Sequence, residues 1–105
     1  MTDKKDFNSF AVSYAAWSQE TFGPDSQRGP IGPLNHLKKE VQNELLIDPH
    51  DREEYADAFM LILDAARRAG FDHHSLLEAA FEKLEINKTR KWQAPNPDGS
   101  IEHVR

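Results

Sequence analysis

Four carboxylates within one stretch have the spacing to hold a divalent cation. Glu40 and Glu44 stand one turn apart in the run from Lys38 to Ile47, and Glu54 and Asp57 lie three residues apart in the run that opens at Arg52. If both runs are helices, each pair shares one helical face. A connection as short as Asp48-Pro49-His50 folds two such helices back on each other as antiparallel neighbours. The four acids then converge, and such a cluster repels itself unless something positive sits inside it. Hard oxygen ligands, with no cysteine in the chain and no paired histidine, select Mg²⁺ or Mn²⁺. The chemistry expected is metal-assisted work on a phosphate-bearing substrate.

Helices must position these groups, and the apolar spacing predicts four. Phe7, Phe10, Ala11, Tyr14, Trp17 and Phe22 follow the helical period, which predicts a first helix over 7–22, closed by Gly23-Pro24. The dipeptides Gly29-Pro30 and Gly32-Pro33 predict a rigid loop as far as Pro33, and its cation Arg28 is either a phosphate ligand or a solvated loop arginine. Pro33 suits a first helical turn, so a second helix is expected from about Leu34 to Ile47. Its stripe Leu34, Leu37, Val41 and Leu45, with Leu46 as a candidate further member, faces the core, with Glu40 and Glu44 beside the stripe and not opposite it. Taken alone, that pair reads more readily as solvated surface charge.

Asp51 followed by Glu54 has the form of a capping box, so a third helix is expected from Arg52 to about Ala69, stopped by Gly70. Its run Ala56–Ala66 is apolar almost all the way round, which predicts burial on most sides. Asp64 interrupts that run. It either extends the carboxylate site inward, two turns after Asp57, or pairs with a cation from another helix. Asp72 caps a fourth helix, from His73 to about Lys91, whose last turn is cationic. There Lys83, Asn87 and Arg90 share a face that suits a polyphosphate, although dipole-matched surface lysines are the commoner case. The polar tail from Gln93 to Arg105 reads as an extended arm or a short hairpin.

The bulk properties narrow the classes. A chain of 105 residues is expected to form one domain, residues 1–92, with a tail over 93–105. Oligomerisation is a natural way to bury more of the apolar third helix. A formal net charge of −5 argues against duplex DNA as a partner. No apolar run approaches the roughly 18 to 20 residues of a membrane span. Met1–Asp6 lacks the apolar core of a secretory signal, so a cytoplasmic location is expected.

A set of short motifs carries a resemblance. Trp17-Ser18, Thr21-Phe22-Gly23-Pro24, Arg28-Gly29-Pro30, Gly32-Pro33-Leu34, His36-Leu37, Lys39-Glu40, Glu54-Tyr55-Ala56-Asp57, Asp64, Arg68-Ala69-Gly70, Lys83-Leu84, Asn87 and Arg90-x-Trp92 together resemble the phage and prophage dATP/dGTP diphosphohydrolases. These are a branch of the MazG-like all-α nucleoside triphosphate pyrophosphohydrolases. The resemblance implies an all-α bundle of four to five helices, assembled as a homodimer or homotetramer. It also implies two motifs, E-x-x-E and E-x-x-D, that hold Mg²⁺ or Mn²⁺ while a deoxynucleoside triphosphate loses pyrophosphate. The second motif is intact as Glu54–Asp57. The first is not, since Asn43 stands three residues after Glu40 and the next glutamate is Glu44. Either Glu44 takes over through a one-residue adjustment of the helix, the favoured reading, or Asn43 serves as a neutral ligand. Glu40 is the candidate for positioning the attacking water, and by the same resemblance Lys83, Asn87 and Arg90 face phosphates and sugar. Trp17 then either stacks on the purine or belongs to the core. The rival readings are the same fold acting on dUTP or dCTP, and a non-catalytic acidic helical module.

Overall fold

A computed structural model describes residues 5–105 as four α-helices and a short C-terminal hairpin; Met1 to Lys4, part of the segment read as lacking a signal, lie outside the described residues. In chain order these are α1 (Phe7–Phe22), α2 (Ile31–Glu40) running into a π-helical turn (Val41–Leu45), α3 (Arg52–Arg68) and α4 (His73–Thr89). The all-α expectation holds. Three aspartates start helices as their positions predicted or allowed: Asp6 accepts from Ser9 N–H, Asp51 from Glu53 N–H and Asp72 from Ser75 N–H.

Two local readings are corrected. The second helix begins at Ile31, three residues before Leu34, because the first turn of a helix leaves its N–H groups unpaired and so tolerates Gly32 and Pro33. The run Ala56–Ala66 is not buried on most sides in the single chain. Leu63 and Ala65 are buried, but Phe59 and Ile62 lie open because α2 and α1 cover only part of the helix.

The core sits along α3, built on Leu63 and Ala65 of that helix, Ala11 and Tyr14 of α1, and Leu45 of the π-helical turn after α2. Tyr14 stacks between Phe10 and Trp17, with ring centroids 5.8 and 6.1 Å away. α4 contributes no buried residue and touches only α1 and α3. Gly23 ends α1 at φ +112°, a conformation that disfavours any side chain, and a Cβ there would also press on Arg28. Of the two tail readings the structure takes the hairpin. Asn96–Gly99 forms its turn, Gln93 N–H donates to Glu102 C=O, and Trp92 pairs with His103.

Candidate metal centre

Glu40, Glu54 and Asp57 each bring a carboxylate oxygen into one group, all within 4.8 Å of one another. Glu40 closes α2, while Glu54 and Asp57 lie on the first turns of α3, and the antiparallel return through Asp48–Asp51 sets the two helices face to face. Asp51 caps α3 by itself, and the expected reciprocal bond from Glu54 is replaced by a turn of that side chain toward the acidic group.

The electrostatics fit a cation. Glu54 has its pKa pushed up to about 7, first by hydrogen bonding to Glu40, then by loss of solvent and by the charges of Glu40, Glu44 and Asp51. The crowding of negative charge around Glu54 marks a place where a cation is favoured. Glu40 Oε2 is buried with no hydrogen-bond partner, which for a carboxylate oxygen is costly unless a ligand completes it. Three hard oxygen donors of this kind suit Mg²⁺ or Mn²⁺.

Stability therefore depends on pH. The raised pKa means that folded protein holds the Glu54 proton more tightly than unfolded protein does, so the contribution is full below the ordinary 4.5 and lost as pH rises through about 7. A metal that displaces the proton reverses that loss. Melting curves with chelator and with millimolar Mn²⁺ should therefore diverge as pH rises through this window, and a constant gap would contradict the coupling.

Glu44 follows at the π-helical turn, where Leu46 N–H donates to Val41 C=O across five residues. The wider turn takes up one extra residue, so Glu40-x-x-x-Glu44 spans about the arc that E-x-x-E covers in an α-helix. Glu44 and Asn43 are both exposed, outside the group of three, and of the two it is Glu44 whose charge acts on Glu54.

Beside the acids opens a cavity of about 630 Å³, lined by Glu40 and Asp57 on one side and by Tyr14, Trp17 and Phe22 on the other. Trp17 is half exposed and meets Phe22 edge-on at 5.3 Å. Arg28 also lines the cavity, with Nε donating to Phe22 C=O at 2.9 Å.

Asp64 reaches the cavity floor, but its oxygens are taken. Ser18, 0% exposed, donates to Oδ1 at 2.6 Å, Arg67 binds the same oxygen and Arg68 the other at 3.3 Å. Burial alone would raise its pKa, yet these donors outweigh it and hold the carboxyl below the usual range. Both cations come from its own helix, not from another. Arg67 and Arg68 also hold Asp25, and Arg68 donates to Gly23 C=O, so this network fastens the loop after α1 to α3. Sequence reasoning missed Asp25 and Arg67, which no spacing rule links across a loop. It also gave no role to His36, whose Nε2 lies 3.2 Å from Glu40 Oε1, one turn on.

Lys83 and Asn87 lie one turn apart on α4, but the helix ends at Thr89, short of the Lys91 expected, and Arg90 follows it in extended conformation, with Nη1 donating to Asn87 Oδ1 at 3.0 Å. None of the three lines the cavity.

Four helices carrying an acidic cluster across the α2–α3 return define a MazG-like fold. The chain superposes on the cyanophage S-2L MazG-like pyrophosphohydrolase bound to dGDP and three catalytic Mn²⁺ ions per active site, with a TM-score of 0.71 and 32% identity over 93% of this chain and 92% of that one. More particularly, the chain belongs to the dATP/dGTP pyrophosphohydrolase family, which it matches over residues 10–105. It is 45% identical over 94 residues to the Eaa protein of Salmonella phage P22, and 36% identical over 90 residues to the dATP/dGTP diphosphohydrolase of Salmonella phage PMBT28. Those matches take in 88% and 86% of this chain but 28% and 29% of the relatives, so the chain spans less than a third of their length. Among the described residues no helix is long and apolar enough to cross a membrane.

Proposed function

We propose that this chain is a metal-dependent nucleoside triphosphate pyrophosphohydrolase that converts dGTP or dATP to the deoxynucleoside monophosphate and pyrophosphate, acting on purine nucleotide pools in the host cytoplasm of a phage. The observation that carries the reading is the convergence of Glu40, Glu54 and Asp57 at a cavity with an aromatic wall, in a member of this family. Glu40, Glu44, Glu54 and Asp57 hold Mg²⁺ or Mn²⁺. The bound metal supplies Lewis-acid activation of the phosphoryl group and of water. Glu40 positions the attacking water, which adds at the α-phosphorus as the bond to the pyrophosphate oxygen breaks. Trp17 offers a face for the purine, since base stacking on an aromatic ring is tolerant of sequence. Asp64 acts from the cavity floor by holding the loop that forms one wall. Residues 1–92 make up the catalytic unit, with 93–105 as an appended tail.

The active form is a homodimer or homotetramer. The chain has a radius of gyration of 16.1 Å, against about 13 Å for a compact domain of this length. It exposes 8348 Å², whereas a compact monomer of its mass would expose roughly 6,000 Å². Phe81, Leu84 and Ile86 lie open on α4 beside Lys83, Asn87 and Arg90. A second copy that covers this face brings Lys83 and Arg90 to phosphates the single chain leaves unmet. Light scattering should give at least a dimer, and K83A and R90A should weaken turnover at limiting substrate by about ten- to a hundredfold, the loss of one charge-assisted contact each. A monomer with full activity would refute the assembly.

The deciding experiment is product chromatography with each deoxynucleoside triphosphate in turn, with Mg²⁺ and with chelator. Monophosphate and pyrophosphate from dGTP or dATP, lost on chelation, are expected. Preference for dUTP or dCTP would move the specificity within the same fold. No product from any nucleotide would leave an acidic helical binding module.

A further inference from the structure

His36 stands one turn before Glu40 on α2, and its Nε2 lies 3.2 Å from Glu40 Oε1. The imidazole side chain is 60% exposed and that of Glu40 only 19%. A pair of this spacing on an open helix face is ordinarily a minor surface contact. Here its acceptor is different in kind. Glu40 belongs to the carboxylate group, and its other oxygen, Oε2, is buried without a partner. A glutamate has three rotatable torsions, and its terminal one is broad. Unless something fixes it, the carboxylate can turn an oxygen away from its neighbours. We infer that His36 is a positioning residue for the metal site: by holding Oε1 it fixes the Glu40 carboxylate so that Oε2 stays turned inward as a donor.

The two groups also fix each other. A carboxylate at Nε2 selects the tautomer with the proton on that nitrogen, the usual way an outer partner orients a ligand and tunes its basicity. His36 lines the same cavity as Glu40 and Asp57, so it does this at the site's open edge, without being enclosed. Arrangements of this kind are worth about ten- to a hundredfold in metal affinity. His36 touches neither metal nor substrate in this role.

The inference rests on the metal-site reading above, and the test separates the two. Mn²⁺ binding is measured by electron paramagnetic resonance of the free ion, without nucleotide, on the full chain, on H36A and on H36Q. The amide nitrogen of glutamine reaches about as far as Nε2 and keeps a donor to Glu40. H36A should bind Mn²⁺ about tenfold more weakly than the unaltered chain, with H36Q returned to within about threefold of it. The exposed site makes a folding defect unexpected, and equal helical circular dichroism of the three proteins checks this. H36A binding as tightly as the unaltered chain overturns the inference while leaving the metal site standing. So does H36Q binding as weakly as H36A. Failure of the unaltered chain to bind Mn²⁺ overturns both.

Discussion

E54Q and D57N are expected to lose pyrophosphate release by at least about 10³-fold while keeping the helices formed. Each substitution removes one anionic donor from the group of three, and metal-centred charge stabilisation of several kcal/mol at about 1.4 kcal/mol per factor of ten gives a loss of that size. The stability effect has the opposite sign. Glutamine at position 54 keeps a donor for Glu40 and removes a carboxyl whose pKa is already raised to about 7, so metal-free E54Q should melt no lower than the parent above neutral pH. D57N likewise removes a charge from a repulsive cluster. Product chromatography and parallel melting curves check both halves. A variant retaining near-full turnover would refute the site, and one that fails to fold would show the acids to be structural.

R68M should be among the most destabilising single substitutions in the chain. The Arg68 side chain is 2% exposed and serves Asp64, Ser18, Asp25 and the Gly23 carbonyl together. Methionine fills a similar volume but leaves the buried Asp64 with one cation, Arg67, where it had two. Breaking a buried ion pair by removing one partner costs about 3–5 kcal/mol, and the surviving arginine puts this case near the lower figure. For a domain of this length that corresponds to a melting temperature lower by more than about 10 °C. In the double variant D64L/R68M the under-compensated carboxylate is gone, so part of the loss should return. A melting temperature for R68M within about 2 °C of the parent would mean that the network contributes no net stability.

The two substitutions divide what the amino-acid order determined from what folding in three dimensions decided. Periodicity and punctuation are local, and they located α1 at its observed bounds and α3 and α4 to within a residue or two at their ends. Asp51 and Asp72 marked true helix starts because a cap acts on N–H groups two or three residues away. Glu54-Tyr55-Ala56-Asp57 was legible for the same reason, since two acids at that spacing share a face in any helix. The irregular Glu40-x-x-x-Glu44 coincides with a π-helical turn, but Glu44 stays outside the group of three acids.

What spacing could not reach were partners far apart in the chain. Asp64 was recognisable as a buried charge in need of compensation, but the choice between metal and cation depended on which groups the fold delivered. Ser18 and Asp25, 50 and 42 residues earlier than the arginines they bind, meet Arg68 and Arg67 only because α1 and its loop pack on α3. The exposure of Phe59, Ile62 and most of α4 likewise escaped prediction. An apolar face in the sequence says that something must cover it, and only the packing of the other helices decides whether that cover comes from the same chain.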